Sequence, residues 1–120
     1  MTAPLRQLGG WSLNEAVQLL LRLSEELQAL DTELAGLEQT AVEAAEELTL
    51  AHAKALLAAD GAQDQRRAQA DAATSDERLA AKLAETLVRV QKRKIDILET
   101  RIGVGRTIIA SVRAEMELER

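Results

Sequence analysis

His52 is the one imidazole in the chain, and a histidine that titrates near neutral pH can serve as acid, base or metal ligand. On a helix its neighbours three and four residues away are Leu48, Thr49, Ala55 and Leu56, none of which shares a proton. There is no cysteine, which excludes thiolate nucleophiles, disulfides and cysteine-ligated metals. No serine has an evident base partner, and clustered His or Glu-x-x-His ligands are absent. The carboxylates fall on helix flanks, where paired acid and base work would need a cleft that long helices do not provide. The chain is therefore expected to be a non-enzyme without metal, cofactor or small-molecule substrate.

Ile102-Gly103-Val104-Gly105-Arg106-Thr107 has the glycine spacing of a short phosphate-cradling turn. It lacks the Gly-Lys-Ser/Thr ending and follows no strand, so it does not read as a nucleotide loop. Backbone N–H groups freed at a bend here would still attract a phosphate beside Arg101 and Arg106.

Charge is distributed unevenly. The net charge is −5, yet residues 1–60 carry 3 basic and 10 acidic side chains against 12 and 10 in residues 61–120. Between Arg78 and Arg106 the cations are Arg78, Lys82, Arg89, Lys92, Arg93, Lys94, Arg101 and Arg106, against Glu85, Asp96 and Glu99. At helical spacing Lys82, Arg89, Lys92 and Arg93 share one broad side, away from Leu83, Leu87 and Val90. Two readings of this band are open. It salt-bridges to the acidic first half, or it tracks a phosphate backbone. With no Phe or Tyr there is almost nothing for bases to stack on, so nucleic-acid contact would be sequence-neutral and strongly salt-dependent.

The elements that carry these residues follow from apolar periodicity. Ser12 and Glu15 form a capping box that starts helix 1 at residue 13. From Ala16, alternating steps of four and three reach Leu20, Leu23, Leu27, Leu30, Leu34, Leu37, Ala41, Ala44, Leu48, Ala51, Ala55 and Ala58, every one apolar. Gly36 lies inside this run at a cost of about 1 kcal/mol relative to Ala. Asp60-Gly61 ends helix 1 at about residue 59, and residues 60–74 form a connection, either frayed helix or irregular. Thr74 and Glu77 offer a second capping box, starting helix 2 over residues 75–102. Helix 2 has two stripes: Leu83, Leu87, Val90, Ile97, and Ala84, Val88, Ile95, Leu98, Ile102. Two apolar stripes imply burial against more than one helix. Residues 103–118 either continue helix 2 with a weak, closely packed spot or form a short third helix after a bend; two glycines cost about 2 kcal/mol inside a helix, which leans slightly toward a bend at Gly103/Gly105.

Helix 1 and helix 2 are similar in length, as an antiparallel hairpin requires. Ala51, Ala55 and Ala58 would then face Ala80, Ala81 and Ala84, and the Leu20–Leu37 seam would face Ile97 through Met116. The fold class is all-α: one helical domain of residues 1–120, a long coiled-coil-like hairpin preceded by an arm at residues 1–12. A lone hairpin buries little surface, so the chain is expected to self-associate. The candidate interface residues are Leu20, Leu27, Leu34, Ile108, Ile109, Val112 and Met116. With 120 residues, 42 of them Ala or Leu and Trp11 the one aromatic, α/β and β-sandwich domains are excluded. The start MTAPLRQLGG does not read as a secretory signal, and the longest apolar run, Ala55 to Ala59, is far short of a membrane span. The chain is expected to be soluble, without a membrane partner.

The layout of long helix, Asp-Gly break, basic helix and Arg-Gly-containing tail resembles phage recombination mediators of the UvsY type. The resemblance is carried by Leu56-Leu57-Ala58-Ala59-Asp60-Gly61, the basic run Arg89 to Lys94, and the stretch from Arg101 through Gly103 and Gly105 to Arg113. It covers roughly the C-terminal half. It implies a ring-forming oligomer in the cytoplasm of a bacterial host that binds single-stranded DNA and helps load a recombinase. Carried over to this chain, Lys82, Arg89, Lys92, Arg93 and Lys94 would contact DNA, and Ile108 to Met116 would drive assembly. The alternative expectation is a structural or adaptor coiled coil, such as a virion assembly factor.

Overall fold

The computed structural model describes residues 12–119; the expected N-terminal arm, with Trp11, lies outside them apart from Ser12. Three helices make up the fold: α1 over Leu13–Ala58, α2 over Gln63–Ala73 and α3 over Ser75–Leu118. The protein is all-α, a long antiparallel hairpin of α1 and α3 with α2 in the connection. No helix among the described residues is long and apolar enough to cross a membrane.

α1 begins where Ser12 turns its hydroxyl oxygen to the free backbone N–H of Glu15 at 3.1 Å and donates its own proton to the Glu15 carboxylate at 3.1 Å. It ends at Ala58, and three residues on the chain turns at Gly61, whose φ of 103° is a left-handed conformation that other residues rarely adopt.

Most of the connection is helical, as its propensity favours, while residues 59–62 are not. Eleven residues form α2, and it is anchored although it has no bulky apolar side chain. Ala70 is completely buried. Arg66 Nη2 donates to the Leu56 carbonyl at 2.9 Å, and Gln69 Nε2 donates to the Asp60 carbonyl at 3.0 Å. A small residue suffices because helix backbones approach closely here, and the side-chain bonds occupy carbonyls exposed at the end of α1. The second capping box is also corrected. Thr74 donates its hydroxyl back to the Ala70 carbonyl at 2.8 Å, closing α2 rather than opening α3.

Two compact units divide the described chain. In one, α1 up to Thr32 packs with α3 from Arg93. The α3 residues Ile95, Leu98, Ile102, Ile109 and Val112 are buried there, and Leu20, Leu23, Leu27 and Leu30 of α1 are half-buried. Bulky side chains pack with bulky ones, as expected, but the row turned inward starts at Ile95, while Ile97 stays 50% exposed. In the other unit, α1 from Glu33 packs with α2 and with α3 up to Lys92. Ala81 and Ala84 are buried there, Ala41, Ala44, Ala51 and Ala55 are half-buried, and Ala58 and Ala80 are exposed. Leu48, Thr49 and His52 line one groove with Asp71 and Arg78, so this end of α1 faces the end of α2 and the first turn of α3.

α3 runs unbroken through Gly103 and Gly105, so the expected bend and separate third helix do not form. The two glycines differ in what surrounds them. A methyl group on Gly105 would come 2.8 Å from Leu20 Cδ2, so this glycine makes room for a seam leucine. Around Gly103 nothing lies within 4 Å. Gly103→Ala is therefore expected to stabilise the fold by up to about 1 kcal/mol, the helix-propensity difference. Gly105→Ala gains less, because Leu20 must shift. Urea midpoints of the two variants check this; a larger gain at Gly105 contradicts it.

Candidate nucleic-acid interface

Residues seven apart on a helix fall nearly in line. On α3 this aligns Lys82 with Arg89, on the side turned away from the row that packs on α1, and Lys92 and Arg93 border that side. In the unit ending at Lys92, the side chains of Lys82, Arg89 and Lys92 are exposed. Arg89 Nη2 donates to Thr86 Oγ1 at 3.1 Å, a tether within its own helix. Lys92 Nζ lies 4.0 Å from Glu38 Oε2 on α1, with both side chains more than half exposed. Such a surface pair contributes between nothing and about 1 kcal/mol. In the other unit, Arg93 is exposed.

The acidic arm therefore leaves most of the band uncompensated. Among the described residues, ion pairs join Arg78 to Asp71 and Lys92 to Glu38, a hydrogen bond joins His52 to Asp71, and no carboxylate pairs with Lys82, Arg89 or Arg93. The reason is angular. The α1 carboxylates flank the α1 seam, while these α3 cations point away from α1.

Not every expected contact residue belongs to the band. Lys94 and Arg101 fall at heptad spacing with Ile97, Val104 and Ile108, on the outer apolar row of α3. Arg106 lines a groove of about 310 Å³ with Arg113, Leu20, Leu21 and Ile109. Because α3 is continuous, no backbone N–H is freed at residues 103–107 to hold a phosphate. The Thr107 hydroxyl donates to the Gly103 carbonyl at 3.1 Å within the helix.

The interface candidates are also redistributed. Ile109 and Val112 are buried, and Leu20, Leu27, Leu34 and Met116 are half-buried along the intrachain seams. Those side chains are occupied within the chain. Ile108, at 40% exposure, is the one that remains open. On α3 the exposed apolar side chains lie instead on the other stripe, with Leu83, Leu87 and Val90, and α1 exposes Leu21, Val42, Leu50 and Leu57.

His52 has a partner that local spacing could not reveal. Asp71, 19 residues away on α2, places Oδ1 2.9 Å from His52 Nε2. Arg78 Nη2 approaches the same oxygen at 3.5 Å, and Arg78 Nη1 donates to the Asp71 carbonyl at 3.2 Å. The hydroxyl nearest to hand, Thr49, donates to the Ala45 carbonyl at 3.0 Å. The cluster ties the three helices together at the closed end of the hairpin, and no group of three metal-ligating side chains occurs among the described residues. A buried Gln91 was likewise missed: it interrupts the α3 inner row, and its Nε2 donates to Glu33 Oε2 at 3.3 Å. A polar group in an apolar seam costs stability but favours one alignment of the two helices.

Compared with family models, curated proteins and solved structures, the chain matches none.

Proposed function

We propose that this protein is a non-enzymatic accessory of DNA recombination that holds single-stranded DNA by its phosphate backbone and works beside a recombinase. The observation that carries the reading is that Lys82 and Arg89, aligned and exposed on α3, have no carboxylate paired to them among the described residues, nor has exposed Arg93, although α1 is rich in acids. Desolvation cost is low for such groups, and phosphate binding releases counterions from the strand, which drives association at low salt. No aromatic side chain occurs among the described residues, so bases are not read, and affinity depends on charge rather than sequence. A role of this kind belongs in the cytoplasm of a bacterial host. The test is binding of labelled single-stranded DNA over a salt series.

A second reading is favoured by a separate observation. Leu79, Leu83, Leu87 and Val90 form an open apolar row on α3, more than a chain acting alone would leave uncovered. On that reading the protein is a structural or adaptor coiled coil that assembles with other proteins, such as a virion assembly factor. Absence of DNA binding at low salt leaves this reading in place.

A further inference from the structure

Leu79, Leu83 and Leu87 are 59%, 56% and 53% exposed, and Val90 is 41% exposed. Leu83, Leu87 and Val90 each precede by one residue a member of the inner row, Ala84, Val88 and Gln91, that packs toward α1. One residue is about 100° of rotation, so the two rows are separate sides of one helix. α1 covers the inner row and leaves the outer one open.

We infer that the outer row is covered by a second copy of this chain, laid antiparallel along α3. At heptad spacing the row reads Asp76, Ala80, Leu83, Leu87, Val90 and, one turn further on, Lys94, and all six are exposed. A two-fold interface requires that when one residue meets another, the second also meets the first. Reversed about a midpoint near residue 85, this row satisfies that condition. Leu83 meets Leu87, small Ala80 meets β-branched Val90, and acidic Asp76 meets basic Lys94. Four apolar layers are flanked at each end by opposite charges, and the outer row goes on past Lys94 through Ile97, Val104 and Ile108, outside this pairing. A parallel pair would instead set Lys94 on Lys94 and Asp76 on Asp76, and like charges facing each other disfavour it. In the antiparallel pair the Lys82 and Arg89 sides of the two helices fall on the same face, so the pair carries the cation band twice. The inference does not depend on what the band binds.

Light scattering of the full chain is expected to give twice the 13.1 kDa chain mass. Leu83→Asp with Leu87→Asp is expected to halve that mass, with helical circular dichroism unchanged because both side chains are more than half exposed. The chain has no cysteine, so single cysteines report the alignment directly. On oxidation, Ala80→Cys mixed with Val90→Cys is expected to yield linked dimer, while each variant alone yields little. Self-linking of Ala80→Cys as efficient as the mixture overturns the antiparallel arrangement. A mass unchanged by the leucine substitutions overturns the interface. A wild-type chain at its own mass overturns the inference and leaves the row for a different protein.

Discussion

Ile102→Ala is expected to lower the unfolding free energy by about 2–5 kcal/mol, the usual cost of emptying a buried isoleucine site. Ile102 is 4% exposed in the row of α3 that includes Leu98 and Ile109. A hairpin has few such residues, so each one accounts for a large share of a marginal stability. Ile97, five residues earlier on the same helix, is the internal control. It is 50% exposed on the outer row. Ile97→Ala makes the same chemical change, and about 1 kcal/mol or less is expected. Urea unfolding followed by circular dichroism separates them. Equal losses at the two positions would mean that α3 is turned differently about its axis.

Reversing the charge of Lys82, Arg89 and Arg93 together to Glu has the largest expected effect on function. Each phosphate neutralised on a single strand contributes about 0.7 to the slope of log affinity against log salt. Loss of three contacts should flatten that slope by about 2 and weaken binding at low salt by at least roughly tenfold. The fold should be unaffected, since all three side chains are exposed and none has an ion pair to lose. Arg22→Glu serves as control. That cation is exposed on α1 rather than α3, and its reversal should change the slope by less than about 1 unit, the share of one contact. If the triple variant binds like the wild type, the contact surface lies elsewhere.

The hairpin was legible because α1 repeats one message. Heptad positions from Ala16 to Ala55 are apolar, and each is buried or half-buried in the structure. Its start at Ser12 and the turn at Gly61 that follows it were legible for a local reason, since capping and left-handed turns are written in one or two residues. α2 was not, because it is held by Ala70 and by side-chain bonds to the last carbonyls of α1, neither of which leaves an apolar pattern. The continuity of α3 through Gly105 depends on Leu20, a residue 85 positions away, and propensity alone argued for a bend. The same limit hid the His52–Asp71 pair and the buried Gln91.

For the cations, periodicity was sufficient to align Lys82 with Arg89. It was not used to separate Lys94 and Arg101, which belong to the outer apolar row although they are neighbours of the band in sequence. Which of two apolar stripes would face α1 was also undecided from sequence. The structure turns Ile95, Leu98 and Ile102 inward and leaves Leu83, Leu87 and Ile97 outside. Of the expected interface side chains, Ile108 alone stays open and the others pack within the hairpin; in the proposed dimer the open stripe takes over that part.

The affinity of the intact chain for a labelled single strand of mixed sequence and for oligo(dT), measured by fluorescence anisotropy from about 20 to 300 mM salt, tests the central claim most directly, because phosphate binding predicts a linear log–log salt dependence. The expected result is binding at low salt, equal for the two strands, with a slope corresponding to at least three phosphates, about −2 or steeper. No binding at the lowest salt, or binding indifferent to salt, contradicts a phosphate-holding role for α3.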